Sequence, residues 1–237
     1  RGAHMMFEAQ VGAIDQADDG GWVLRAPDGR AMLKADAVVL ACGAALTRFA
    51  PAAFLPIALS RGQIEWGAGA EPTHAITRGS YVAPFEGGVL FGATFEKVAA
   101  EESAKALAVR APVENIEMLR ALVPEIAASV DPEALNSRVS YRATTPDRAP
   151  VAGVLPDADA WLAQYADLAH GRAVSTDALP PAHRGVYVLG GLGARGLTAA
   201  PLLGERLASE MLGEPHVLSA RTLDALHPAR FLHRALK

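Results

Sequence analysis

Apolar and polar positions alternate along this chain in short stretches separated by Gly and Pro, which predicts many short strands and few helices. Residues 7–14, 21–26 and 30–34 read as three strands, the last two joined by the turn Pro27-Asp28-Gly29. Residues 37–41 are a continuous apolar run ending at Gly43, the pattern of a parallel-sheet strand buried on both faces. Between Leu59 and Phe95, the segments SRGQIEWGA, HAITRG, SYVAPF and GVLFGAT predict an antiparallel β-rich region. Residues 112–122 put Ile116, Leu119 and Leu122, with Val123, on one face of a helix. NSRVSYRATTPDRAPVAGVLPD then reads as strand, Pro-rich turn and short strand, and residues 157–181 as a polar loop with a short helix at 161–168. The run Val186–Leu189 is a further strand, followed by Leu203, Leu207 and Met211 at helical spacing.

This order, with strands and a Gly-rich helix enclosing a β-rich middle, implies one domain inserted into another. The expected class is α/β. Residues 1–49 and 146–212 form a nucleotide-binding layer, 50–145 a substrate domain and 213–237 a C-terminal tail.

With 51% hydrophobic and 20% charged residues and a net charge of −4, the composition is that of a soluble globular protein with no overall basic field for nucleic acid. A local basic face stays open. The one cysteine, Cys42, excludes an internal disulfide, points to a reducing compartment and reads as a small buried hydrophobe at a strand end. No apolar run reaches membrane-spanning length and no signal-peptide pattern opens the chain, so the expectation is a cytoplasmic protein with no membrane partner. The histidines show no paired ligand spacing, so no metal is expected.

Two features carry candidate chemistry. Gly191, Gly193 and Gly196 spell G-x-G-x-x-G between a strand and a helix. A dinucleotide site needs a second parallel strand ending in an acid about 20 residues on. Glu214 has the distance, but Pro215 follows it and no strand run precedes it. What remains is either a helix N-terminus with bared amides, suited to an anionic or carbonyl group, or a tight turn with no ligand. The second feature is Arg142 in VSYRATTPD, whose planar fork suits a carboxylate or, alternatively, an ion pair with Asp147.

Taken together, ADAVVLACGA, SRGQ, YVAPFEGGVLFGATFE, RATTPDRAPVAG and GVYVLGGLGARGLTAAPLLGERLA resemble the FAD-dependent D-amino-acid oxidase and glycine oxidase superfamily. LPPAHRGVYVLGGLGARGLTAAPL and LDALHPARFLHRALK are similar, more narrowly, to the C-terminal oxidoreductase domain of the bifunctional tRNA 5-methylaminomethyl-2-thiouridine biosynthesis proteins. The resemblance implies a Rossmann-like FAD-binding layer, here incomplete, with an inserted antiparallel β-rich substrate domain. It implies FAD as cofactor, tRNA as partner, and oxidative removal of the carboxymethyl group from carboxymethylaminomethyl-(2-thio)uridine at the wobble position. Arg142 then binds the substrate carboxylate. The turn Gly191, Leu192, Gly193, Ala194, Arg195, Gly196 and Leu197 meets the pyrimidine edge of the flavin, with amides from Gly193 to Leu197 supporting the charge of the reduced ring. The resemblance places Gly43 beside FAD and the Val11 backbone at the adenine. Arg61, with Gly62 and Gln63, lines the flavin pocket or bridges the two layers. Arg221, Arg230, Arg234 and Lys237 form either a patch for tRNA phosphate or a solvated face. Members of the superfamily open with a strand and a G-x-G-x-x-G for the pyrophosphate, and the bifunctional proteins with a methyltransferase domain. Neither is found before Phe7, so the chain is expected to be a C-terminal fragment, inactive without the missing regions. Two other readings stay open: the same chemistry on a free small amino acid, and a non-catalytic remnant that binds tRNA or a partner without FAD.

Overall fold

The computed structural model describes residues 2–98, 110–175 and 177–236. Two compact units emerge, Arg1–Ala58 with Ala143–Lys237, and Leu59–Arg142.

In the first unit, Ala13–Gln16 (β1), Trp22–Arg25 (β2) and Ala31–Ala35 (β3) form an antiparallel meander. β1 starts later than the alternation from Phe7 predicts. Its partner β2 ends at Arg25, ahead of the Pro27 turn, so the ladder stops at Ala13↔Arg25 and only the Gly12 amide reaches beyond it, to the Arg25 carbonyl at 2.7 Å.

A second sheet orders Val151–Pro156 (β11), Ala182–Gly190 (β12) and Val38–Leu40 (β4). β12 and β4 are parallel, and β11 and β12 antiparallel. β12 alternates as a half-buried strand should. Val186 and Val188 enter a core with Ile14, Trp22, Leu46 and Leu155, whereas Tyr187 and Leu189 pack toward Leu203, Leu207 and Leu226. β4 is not buried on both faces. Among the described residues it pairs with β12 alone, and Val39 remains 41% exposed between buried Val38 and Leu40.

Gly196–Leu212 (α4) buries Leu203 and Leu207, while Met211 stays on the surface. Residues beyond 212 are no simple tail. Ala220–Leu226 (α5), capped by the Ser219 side chain, and Arg230–Ala235 (α6) bury Leu226, Phe231 and Leu232. The polar stretch after residue 156 holds Ala158–Gln164 (α3), capped by Asp157, followed by a 3-10 turn.

The second unit is built on Ala58–Gly67 (β5), Ile76–Arg78 (β6), Ser80–Phe85 (β7), Gly88–Gly92 (β8), Glu96–Val98 (β9) and Asn136–Thr144 (β10). The order is β10-β5-β8-β7-β6, with β9 also pairing β5. Ala111–Leu122 (α1) and Pro124–Ala128 (α2) cover one face, where Leu119 and Ile126 meet Val82, Val89 and Phe91. Beneath α1 lies a polar knot: the fully buried Glu65 accepts hydrogen bonds from Gln63 Nε2 (2.9 Å), Asn115 Nδ2 and Ser137 Oγ (3.3 Å).

Candidate functional site

In the first unit, the parallel register pairs Val186 with Val38 and Val188 with Leu40. Gly43 and Gly191 each stand three residues past the last of these pairs, so both leave the sheet at the carboxyl ends of parallel strands, where open α/β sheets receive ligands. Both are left-handed, with φ of 57° and 64°, a conformation that costs glycine little. A Cβ at Gly43 would meet nothing within 4 Å, which leaves the approach to the strand ends open.

Not all amides of the Gly-rich turn are available to a ligand. The Gly193 N–H donates to the Ala143 carbonyl (2.9 Å) and the Arg195 N–H to the Leu192 carbonyl (3.1 Å), so the donor set expected from Gly193 to Leu197 is corrected. These two bonds fold the turn itself. Within α4 the first bond runs from the Ala199 amide to the Arg195 carbonyl, leaving the amides of Gly196, Leu197 and Thr198 without an intrahelical acceptor. No side chain caps this end, and Leu197 is 100% exposed. Arg195 turns its guanidinium to the Arg148 carbonyl (3.2 Å), and Ala194 lies on the surface.

Beside the β4 end, a cavity of about 730 Å³ is lined by Val11, Val39, Cys42, Arg48 and Phe49, among others. Its volume is in the range of cofactor pockets. Cys42 is exposed rather than a buried hydrophobe, because the chain turns outward after Leu40.

In the second unit Arg142 is half-buried on β10. Its Nη1 donates to the Thr94 carbonyl (3.2 Å) and its guanidinium lies over the Phe95 ring at 4.0 Å. A Cβ at Gly62 would fall inside the guanidinium, so the RGQ segment supplies the bare backbone on which Arg142 rests. Burial pushes its pKa down from the ordinary value, with Tyr81 opposing, and arginine stays protonated at neutral pH all the same. Among the described residues Arg142 makes no ion pair. Asp147, the acid considered for it, instead holds Arg230 at 2.9 Å and Arg234. Burial alone would raise the Asp147 pKa, but hydrogen bonds from Arg230, Arg234 and Thr145 hold it well below the usual carboxylate range. Arg230, 7% exposed, is therefore tied to α6 packing, whereas Arg234 and Arg221 are exposed and Lys237 lies outside the described residues. Arg61 pairs within its own sheet with Glu96 across the β5–β9 ladder (Nε–Oε2 2.9 Å).

The FAD dependent oxidoreductase (DAO) family matches residues 1–210. The chain belongs to this family. It is 38% identical over 223 residues to the tRNA 5-methylaminomethyl-2-thiouridine biosynthesis bifunctional protein MnmC of Aromatoleum aromaticum, a match covering 92% of the chain and 33% of that protein. The protein of the same name from a Caulobacter species is 38% identical over 232 residues, covering 97% of the chain and 33% of its own length. The chain thus spans about a third of the length of these curated relatives. Among solved structures, glycine oxidase from Geobacillus kaustophilus superimposes with a TM-score of 0.67 at 20% identity, over 90% of this chain and 50% of that one. Amadoriase I from Aspergillus fumigatus gives 0.62 at 15%, over 96% and 50%. These likenesses show the mixed α/β fold with antiparallel sheets.

FAD is the cofactor of this DAO-family chain, and the first unit fits it. A flavin edge that gains negative charge needs backbone donors with no side chain in the way, and the uncapped first turn of α4 offers three. Among the described residues no three His, Cys, Asp or Glu side chains gather as a metal site, and no helix is long and apolar enough to cross a membrane. Thr94, Phe95 and Tyr81, which surround Arg142, went unmarked in the sequence because only strand pairing brings them to it.

Proposed function

We propose that this chain oxidises the C–N bond of a carboxymethylaminomethyl group on the wobble (2-thio)uridine of tRNA, the imine then hydrolysing to the aminomethyl nucleoside and glyoxylate. The relatives named for tRNA 5-methylaminomethyl-2-thiouridine biosynthesis support this reading. Such a substrate places the protein in the cytoplasm. In this reading Leu59–Arg142 is the substrate unit and the remainder the FAD-binding unit.

Bound FAD supplies the two-electron acceptor. The residues that would hold it are Val11 and Gly43 at the β4 end and Gly196, Leu197 and Thr198 at α4. Arg142 grips the glycine-like carboxylate with two parallel charge-assisted hydrogen bonds, which fixes the adjacent methylene, and its partial burial strengthens the grip. Phe95 and the Thr94 carbonyl keep the fork from rotating.

The observation that carries this reading is a half-buried guanidinium with no acid partner among the described residues, seated on a glycine. Replacing Arg142 by Lys keeps the charge and loses the fork. In FAD-loaded enzyme, Arg142→Lys is expected to raise the substrate KM by about 10- to 100-fold, the worth of one charged hydrogen bond, with thermal stability little changed. An unchanged KM removes Arg142 from carboxylate binding. The likeness to glycine oxidase favours a second reading, free glycine as substrate. Comparing kcat/KM for modified tRNA and for glycine separates the two.

A further inference from the structure

β5 is paired on either side of the Arg142 seat but not at it. Its ladder with β8 ends at Ile64↔Gly92, and its ladder with β9 ends at Arg61↔Glu96. Between these pairs Gly62 and Gln63 stand opposite Ala93, Thr94 and Phe95, two residues against three, a bulge of the kind that re-aims a side chain beside a functional site. Gly62 is the seat of the guanidinium, and the Thr94 carbonyl is the acceptor for its Nη1 (3.2 Å). Thr94 also closes the bulge. Its hydroxyl accepts from the Gln63 amide (3.0 Å) and its own amide donates to the Gln63 carbonyl (3.2 Å). Alternation along β5 turns Gln63 and Glu65 to the face opposite Gly62. There the Asn115 side-chain amide, on α1, donates to the same Gln63 carbonyl (2.9 Å) and to the Glu65 carboxylate.

We infer that the Thr94 hydroxyl and the Asn115 amide are positioning groups for Arg142: together they fix the carbonyl that sets the direction of its guanidinium. The value of this to substrate binding rests on the carboxylate role proposed for Arg142. The line of contacts is unbroken, from Glu65 through Asn115 to the Gln63 carbonyl, across the bulge to Thr94, and from the Thr94 carbonyl to Nη1. β10, the strand of Arg142, joins the same knot, because the Ser137 hydroxyl donates to Glu65 (3.3 Å). Gln63, Glu65 and Asn115 are each at most 1% exposed. Holding α1 on the sheet does not call for a buried carboxylate, since apolar residues of similar volume often do as well or better. Hydrogen bonds add direction, which apolar contacts lack. A guanidinium meets a carboxylate with two parallel bonds only when its plane is correctly aimed, so direction is what this site needs.

The test reads the Arg142 guanidinium of FAD-loaded protein by nitrogen NMR, its signals identified by their loss in Arg142→Lys, and the affinity for N-methylglycine by calorimetry. In the wild type, Nη1 and Nη2 are expected as separate signals, because the bond to Thr94 stops rotation about Nε–Cζ. Thr94→Val keeps the shape of the side chain and removes the hydroxyl. It is expected to merge the two signals and to weaken N-methylglycine binding by about 2- to 13-fold, the worth of one neutral hydrogen bond. Thr94→Ser is expected to restore both. Asn115→Leu is expected to merge the signals as Thr94→Val does. Merged signals in the folded wild type, signals still resolved in Thr94→Val, or an equal loss in Thr94→Ser overturn the inference. Signals still resolved in folded Asn115→Leu overturn the part given to Asn115, and the two Thr94 variants decide the rest whether or not that variant folds. Merged signals in Thr94→Val with an unchanged N-methylglycine affinity uphold the positioning and remove Arg142 from carboxylate binding, so the two readings fail separately.

Discussion

A methyl group at Gly62 would stand where the Arg142 guanidinium now lies. Gly62→Ala should therefore displace Arg142 and reproduce the KM increase of Arg142→Lys without altering any group that touches substrate. Gly204 in α4 provides the control, since a Cβ there meets nothing within 4 Å. Gly204→Ala is expected to leave KM unchanged and to add about 0.5–1 kcal/mol of stability, measured by thermal unfolding. A Gly62→Ala enzyme with wild-type KM would show that Arg142 does not depend on that seat. The chain sequence displays the RGQ segment and Arg142 but not their contact, because they are eighty positions apart and joined only by β5 pairing with β10. Asp147 misleads for the converse reason. It is the acid nearest Arg142 in sequence, yet its oxygens face Arg230 and Arg234.

Two elements carry predictions of their own. Leu197 sits in the first turn of α4, fully exposed, where proline is tolerated because its amide has no helical acceptor. Leu197→Pro should keep the helix by circular dichroism and slow flavin reduction on the order of 10²-fold, with a more negative flavin potential. Unchanged reduction and potential would make this turn purely structural. At the other end, Asp147 anchors α6 through Arg230, whose side chain is 7% exposed. Asp147→Asn is expected to cost roughly 3 kcal/mol in unfolding experiments and to expose α6 to hydrogen exchange first. The pH dependence has a definite sign. A carboxylate whose pKa is depressed on folding stabilises the protein fully above its unfolded value of about 4, and the contribution is lost only as pH falls below that toward the folded value. The difference between wild type and Asp147→Asn should thus stay flat from pH 7 to about 5 and shrink in stronger acid. A difference that shrinks between pH 7 and 6 would contradict the assignment.

Patterning located most of these elements, including β5 to β8, α1 and the β12–α4 turn, since burial on one face writes a period into the sequence. It misplaced β1, whose length is set by its partner, and read β4 as buried on both faces, whereas Val39 is exposed on the face opposite Val38 and Leu40. It also left α5 and α6 as a tail, because two short helices with few buried positions carry little periodicity.

For the chain as a whole, the net charge of −4 gives no general basic field. In the proposed reading, recognition of the substrate rests on its glycine-like carboxylate, held by Arg142. The most direct test is glyoxylate release by FAD-loaded enzyme, compared as kcat/KM for tRNA carrying carboxymethylaminomethyluridine and for free glycine. The account predicts that the tRNA is preferred and that Arg142→Lys lowers its kcat/KM by at least about tenfold. Glycine turned over as well as the tRNA, or a wild-type kcat/KM in Arg142→Lys, would contradict it.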